Sequence, residues 1–159
     1  MAGLLAVFTV LSAPAVADDQ DDPWIRGVFT GNSPRPIMTN EIDAWQRATR
    51  LAETTPDTFV LVGSGESMQP LYRPGTILVF RQLPYNRLER GQTALYRNRQ
   101  SRVVAHVLVT KARDGWRVAG LNNGHHDMEP VQADNLVGVV IAAFEPKTPA
   151  VVRLVALAR

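Results

Sequence analysis

Three residues of the chain could together perform acyl transfer: Ser67, His106 and Asp127. Ser67 lies in the block GESMQP at residues 65–70, and Asp127 ends an asparagine-rich run at residues 120–127. A serine hydroxyl is a poor nucleophile at neutral pH, so it needs a base to take its proton and a third group to orient that base. The chain offers one residue of each kind, in the order serine, histidine, aspartate. This pattern predicts a serine endopeptidase.

Several short blocks resemble, in order and spacing, those of one superfamily of serine peptidases. The stretch from about Phe59 to Ala143 is similar to the superfamily that joins type I signal peptidases with LexA-like self-cleaving proteins. The blocks that carry the resemblance are Gly65–Pro70, Pro74-Gly75, Arg90-Gly91, His106, Gly120–Asp127 and Leu136–Val140. The resemblance implies a nucleophile at Ser67, a base at His106 and an aspartate, Asp127, at the end of the asparagine-rich loop.

The base is the residue on which members of this superfamily differ. Most bacterial members carry lysine, whereas the branch that resembles the endoplasmic-reticulum and archaeal signal peptidases carries histidine, usually followed by arginine. His106 fits the histidine branch, but Val107 follows it. Lys111 is the alternative base, although its distance of five residues from His106 puts it on the opposite face of an unbroken strand. A bulge would remove that objection, so Lys111 stays open and His106 is preferred.

The oxyanion of an acyl-transfer reaction needs two hydrogen-bond donors, and the backbone N–H of Ser67 would be the first. Many signal peptidases place a serine hydroxyl two residues before the nucleophile, where this chain has Gly65. The second donor is therefore expected from a backbone N–H near Gly65 or Glu66, or from the hydroxyl of Ser64. The chain also lacks the usual aspartate at three turn positions, which are Thr76, Gln92 and Leu121.

Composition is that of an ordinary globular protein and limits the partners. The 159 residues are enough for one domain with a core. The 17 basic and 15 acidic residues leave a net charge of +2, which gives no argument for binding nucleic acid. The chain contains no cysteine, which excludes disulfides and thiol catalysis.

The N-terminus has the pattern of a secretory leader. Met1–Ala17 contains no charged residue, is apolar through Leu4–Leu11 and ends in Ala15-Val16-Ala17, before the acidic run Asp18–Pro23. A short apolar core followed by an Ala-x-Ala site is typical of a cleaved leader, which predicts an extracytoplasmic protein, periplasmic or secreted. The alternative is that this segment is a membrane anchor, with the catalytic domain on the outer side of the membrane. Spanning a bilayer normally takes about 20 apolar residues, and Pro14 shortens the usable stretch.

The rest of the chain is predicted to be mostly β, and the resemblance implies a LexA/signal-peptidase-like complex β fold with one N-terminal helix. Helical spacing of apolar residues between Asn40 and Glu53 predicts that helix, with Trp45 facing the sheet. The predicted strands are Thr58–Val62, Thr76–Phe80, Thr93–Tyr96, Arg102–Thr110, Trp116–Ala119 and Leu136–Phe144. Ala112–Gly115 predicts a hairpin turn, and Val151–Leu157 suits a closing strand or a short helix.

These elements suggest three segments: a leader at residues 1–17, an acidic linker, loop and helix at 18–57, and a peptidase-like β domain at 58–159. The function expected from them is an exported, signal peptidase-like serine endopeptidase that acts on a peptide or protein, with association at a membrane surface left open. The alternative is a catalytically inactive peptidase fold that keeps only a peptide-binding groove.

The substrate is expected to add as an extended strand beside Ser67. Its side chains would contact an apolar lining, for which the candidates are Phe59, Leu61, Met68 and Leu71. His125 and His126 stand beside Asp127, and such a cluster could bind zinc. Adjacent histidines in an extended segment rarely point the same way, so no metal and no other cofactor is expected.

Overall fold

A computed structural model describes residues 27–147 of the chain. The elements of this part are β1 (Ile37–Thr39), α1 (Glu41–Thr54), β2 (Thr58–Val62), β3 (Ile77–Arg81), β4 (Thr93–Arg97), β5 (Val103–Ala112), β6 (Gly115–Ala119) and β7 (Leu136–Pro146). A single turn of 3₁₀ helix, Tyr85–Arg87, lies between β3 and β4. The predicted leader at Met1–Ala17, the acidic linker at Asp18–Pro23 and the element predicted at Val151–Leu157 lie outside the described residues.

The strands form one sheet in the order β2-β3-β7-β4-β5-β6. Neighbours along this order are antiparallel, and β1 makes a short parallel pairing with the end of β7. The first part of β7 pairs with β4 and its later part with β3, so this long strand joins the two halves of the sheet. Over residues 27–147 the structure confirms the predicted mostly β fold with one N-terminal helix.

Each predicted strand is present, and its ends differ from the prediction by two residues at most. The turn predicted at Ala112–Gly115 joins β5 to β6. Ala112 pairs with Gly115, and this is the pair of the two strands next to the turn. β1 was not predicted, because the three residues Ile37–Thr39 are too few to show a period of alternating apolar side chains.

Helix α1 begins at the predicted cap, but it packs through a different face. The side chain of Asn40 accepts a hydrogen bond from the backbone N–H of Asp43 at 2.9 Å, which satisfies a free donor of the first turn. The prediction that Trp45 faces the sheet is wrong, because Trp45 is 41 % exposed whereas Ala44 and Ala48 are fully buried. The two small side chains let the helix approach the sheet closely, and the bulky indole is left outside the contact. The sheet residues in this contact are Ile77, Val79 and Phe144.

The other face of β3 supports the loop that carries Ser67. Leu78 and Phe80 alternate with the residues under the helix, as side chains along a strand do. They pack in one core cluster with Met68 and Tyr72, which lie in the loop after β2. Burial of these two loop residues fixes the position of the backbone that follows Ser67.

Candidate active site

Ser67 lies in the loop between β2 and β3, directly before a buried residue. Its neighbour Met68 is 5 % exposed. Two backbone hydrogen bonds close the base of the loop, from the N–H of Gly63 to the carbonyl of Thr76 and from the N–H of Gly75 to the carbonyl of Gly63. The loop is therefore anchored at its base and in its middle, and the hydroxyl of Ser67 is left at the edge of a groove.

The three sequence-predicted residues meet at this point. Oγ of Ser67 lies 2.9 Å from Nε2 of His106, and Nδ1 of the same ring lies 2.5 Å from Oδ2 of Asp127. An ionised carboxylate only accepts hydrogen bonds, so Nδ1 carries the hydrogen in this contact. Nε2 of the neutral ring is then free to accept from the serine hydroxyl.

His106 and Asp127 are both held by the sheet. His106 pairs with Ala94 of β4 across the ladder and is 6 % exposed. The backbone N–H of Asp127 donates to the carbonyl of Val118 in β6 at 2.8 Å. The imidazole is thus carried by β5 where it pairs with β4, whereas the carboxylate comes from a loop that is tied to β6.

A fourth side chain, which the sequence did not indicate, reaches the same carboxylate. The hydroxyl of Tyr96 donates to Oδ2 of Asp127. Burial, followed by the hydrogen bond and the charge of Asp127, raises the pKa of Tyr96 well above its ordinary value, so its hydroxyl remains a donor. Alternation along β4 from Ala94, the partner of His106, could have indicated Tyr96, but only once the strand register was known.

The asparagine-rich loop contacts the backbone at the nucleophile. The backbone N–H of Asn122 donates to the carbonyl of Ser67 at 2.8 Å, and its side-chain Nδ2 donates to the carbonyl of Glu66 at 3.4 Å. Gly120 lies so close that a Cβ on it would come within 2.8 Å of the Ser67 carbonyl oxygen. Two blocks that are far apart in sequence therefore fix the backbone of Ser67 together.

Comparison with known families accounts for this arrangement. The model of the Peptidase S24-like family matches residues 24–141, which is most of the chain. The chain belongs to the Peptidase S24-like family. This membership supports the predicted kinship with LexA and type I signal peptidases and a fold of the serine-peptidase class. No curated protein matches the chain in a direct search.

A groove of about 400 Å³ begins at Ser67 in this Peptidase S24-like protein. One side is the end of β2 with the following loop, and the other is residues 103–105 of β5. Pairing of β5 with β6 starts only at Val107, so no strand within residues 27–147 pairs with residues 103–106 on that side. Among the described strands, β2 likewise pairs only with β3. The groove therefore lies between two strand edges that have no partner in the described part of the chain.

Two of the four predicted lining residues are in this groove. Leu61 and Met68 line it. The prediction is wrong for Phe59, which stacks on Phe80 with ring centroids 5.6 Å apart, because its side chain points into the core. It is also wrong for Leu71, which lines a separate depression together with Leu121. Residues 59 and 61 share a face by alternation, but β2 ends at the groove and only its last residues reach it.

Lys111 is not placed to serve as the base. A bulge does interrupt β5, between Leu108 and Thr110 where it pairs with β6. The ammonium of Lys111 nevertheless lies 5.8 Å from the ring centroid of Tyr85, in a cation–π contact. His106 is the basic residue that contacts Ser67.

The first predicted oxyanion donor is the backbone N–H of Ser67. Among residues 27–147, the backbone N–H of Ser67 donates to no carbonyl or side chain. Of the three residues predicted as alternative sources of the second donor, Ser64 and Gly65 line the same groove, and Glu66 is not among the lining residues. A Cβ at Gly65 would lie 3.9 Å from Oγ of Ser67, an ordinary contact.

The histidines beside Asp127 belong to a second depression, of about 380 Å³, which Asp127 and His106 also line. The pKa of His126 is lowered, chiefly by burial and then by the charge of Arg117. Its Nδ1 is buried without a hydrogen-bond partner among the described residues. Residues 27–147 contain no group of three or more His, Asp or Glu side chains arranged to hold a metal ion.

No helix between residues 27 and 147 has the length and apolar character needed to cross a bilayer.

Proposed function

We propose that this Peptidase S24-like protein is a serine endopeptidase that cleaves an extended peptide through an acyl-enzyme on Ser67. The observation that carries the proposal is the pair of contacts made by one imidazole, 2.9 Å from the Ser67 hydroxyl and 2.5 Å from the Asp127 carboxylate. Serine and aspartate on opposite ring nitrogens are what a base needs in order to take a proton and be stabilised afterwards.

The chemistry follows from the two ring nitrogens. Oγ of Ser67 attacks the carbonyl carbon of the peptide while Nε2 of His106 takes the hydroxyl proton. The resulting imidazolium is stabilised by Asp127, and it then gives its proton to the leaving amine as the C–N bond breaks. A water molecule, activated by the same nitrogen, hydrolyses the ester and restores Ser67. The N–H of Ser67 stabilises the oxyanion in both halves of the reaction.

The groove suits a substrate that binds as a strand. Residues 103–105 of β5 offer backbone donors and acceptors that no described strand uses on this side, and the end of β2 offers a second edge across the groove. A peptide between these edges gains main-chain hydrogen bonds from both, and its side chains are selected by the walls. Leu61 and Met68 make those walls apolar, which favours peptides with small apolar residues next to the cut.

The site of action proposed for this peptidase is outside the cytoplasm, as a signal peptidase-like enzyme whose leader ends at Ala17. The support is the Ala15-Val16-Ala17 motif before the acidic residues Asp18 and Asp19. N-terminal sequencing after cell fractionation tests it. A chain that begins at Asp18 in the extracytoplasmic fraction is expected, whereas an intact Met1 in the membrane fraction would favour the anchor and action at the membrane surface.

A cleavage assay with peptides that have small residues around the cut tests the proposed activity. Wild-type protein should produce two fragments with free carboxyl and amino ends, and Ser67→Ala should produce none. Thr49→Ala is the matched control, because it also removes one hydroxyl, from the exposed side of α1, and should cleave like wild type. Peptide that binds equally to wild type and Ser67→Ala, without cleavage by either, would instead identify an inactive binding module.

A further inference from the structure

We propose that Tyr96 is a positioning residue for the catalytic group: its hydroxyl holds the Asp127 carboxylate in the orientation that His106 requires. This inference rests on the proposed function, because it assigns Tyr96 a part in the same reaction. Tyr96 does not touch Ser67, and it acts only through Asp127.

The geometry places two donors on a single oxygen. Oδ2 of Asp127 accepts from the Tyr96 hydroxyl and from Nδ1 of His106. Tyr96 is 2 % exposed and is carried by β4, whose Ala94 pairs with His106. Both donors therefore stand on adjacent strands with a fixed register, and together they define where Oδ2 must lie.

The carboxylate needs such a restraint, because the sheet holds Asp127 through its backbone N–H and leaves its side chain able to rotate. Asp127 belongs to the long connection between β6 and β7, where its backbone N–H donates to Val118. Its side chain is 18 % exposed, and it lines the open depression beside His126 and Glu129. The hydrogen bonds from Tyr96 and His106 both end on Oδ2 of this carboxylate. Without the Tyr96 hydroxyl, Oδ2 would keep the hydrogen bond from His106 and lose the second donor that opposes rotation of the carboxylate.

The position of the carboxylate affects catalysis because it determines which tautomer of His106 is present. An aspartate on Nδ1 keeps the hydrogen there and leaves Nε2 as the acceptor that Ser67 needs. A carboxylate that turns away leaves the ring free to carry its hydrogen on Nε2, where it cannot act as a base. The loss is expected in the chemical step and not in peptide binding, because Tyr96 is absent from the groove lining.

Tyr96→Phe tests the proposal, because it removes the hydroxyl and keeps the buried ring. We expect kcat to fall about tenfold, as for the loss of a buried hydrogen bond to a charged group, with KM changed less than about twofold. The ¹⁵N NMR signals of neutral His106 should move from the Nδ1–H form toward a mixture with Nε2–H. Tyr85→Phe is the matched control: Tyr85 packs against the same core cluster and donates to the carbonyl of Val131. It should change neither quantity.

A double variant separates positioning from general stabilisation. If Tyr96 acts through the charge of Asp127, adding Tyr96→Phe to Asp127→Asn should lower kcat by less than about twofold further. Equal kcat and equal NMR spectra for Tyr96→Phe and Tyr85→Phe would overturn the proposal, and so would effects that multiply in the double variant. The NMR comparison needs no substrate, so it decides the role of Tyr96 even if the wild-type protein cleaves no peptide.

Discussion

The backbone N–H of Asn122 donates a hydrogen bond to the carbonyl oxygen of Ser67 at 2.8 Å. This bond joins the loop that ends in Asp127 to the loop that carries the nucleophile. Ser67 and Asp127 are thus linked twice, once through the imidazole of His106 and once through the backbone. A small shift of either loop would change the distance from Oγ to Nε2, on which proton transfer depends.

Gly120→Ala should reduce activity by moving Ser67. A Cβ at this position would lie 2.8 Å from the carbonyl oxygen of Ser67 and 2.8 Å from Nδ2 of Asn123, so the loops must separate. We expect kcat/KM to fall by about a hundredfold, which is typical of a misplaced reacting group, when measured on folded protein. Gly138→Ala is the control, because its Cβ would meet the carbonyl oxygen of Arg81 at the same 2.8 Å, on β3. Similar loss of activity in both variants would mean that general destabilisation is the cause.

The assignment of the base predicts very different results for two basic residues. His106→Ala should lower kcat by about 10⁴-fold or more, as removal of a triad base does. Lys111→Ala should stay within about twofold of wild type, since the Lys111 ammonium lies over the ring of Tyr85. Steady-state cleavage rates check both. Loss of activity in Lys111→Ala, with folding intact by circular dichroism, would mean that the lysine is the base.

The strands, and the three residues Ser67, His106 and Asp127 that contact one another, could be predicted from the sequence because both depend on local patterns. Short alternating runs between glycine and proline turns have few other stable structures, so strand ends such as those of β2 were predicted closely. The residue types of Ser67, His106 and Asp127 are constrained by chemistry, and their surrounding blocks could be recognised without knowledge of the register.

The errors lie where tertiary packing decides. Trp45 and Ala44 are neighbours on α1, and apolar periodicity cannot tell which of them the sheet will accept; close approach favoured the alanine. Phe59 and Leu61 share a face of β2, and only the end of the strand reaches the groove. Tyr96 could not be assigned a role, because its contact with Asp127 depends on the pairing of β4 with β5.

Asn40→Ala should lower stability without affecting the chemistry. The side chain of Asn40 accepts from the N–H of Asp43 and donates to its carboxylate at 2.7 Å. Loss of an N-cap of this kind costs about 1 kcal/mol of the free energy of unfolding, which urea denaturation can measure. Asn40→Asp, which keeps an accepting oxygen, should recover most of the loss. A decrease in the kcat of folded Asn40→Ala would contradict the separation of α1 from the active site.

His126 should make the protein less stable in mild acid. Its pKa is lowered in the folded protein by burial and by Arg117, against a smaller opposing effect of Asp127. As the pH falls below about 6.5, His126 therefore becomes protonated in the unfolded chain before it does in the folded protein. The free energy of unfolding declines as a result. Above that pH, His126 is neutral in both states and causes no loss of the free energy of unfolding. Denaturation of wild type and His126→Gln between pH 8 and pH 5 checks this, and the variant should lose less stability. An identical decline in both would exclude His126 as the cause.

The most direct measurement of the central claim is the mass of the acylated protein. A short peptide of small residues with an activated carbonyl should add one acyl group to the wild-type protein, and proteolytic mapping should find it on Ser67. His106→Ala should acylate far more slowly, because the variant lacks the imidazole that lies within hydrogen-bond distance of the serine hydroxyl. We predict a single adduct in wild type and none in Ser67→Ala. An adduct that persists in Ser67→Ala would contradict the assignment of Ser67 as the nucleophile.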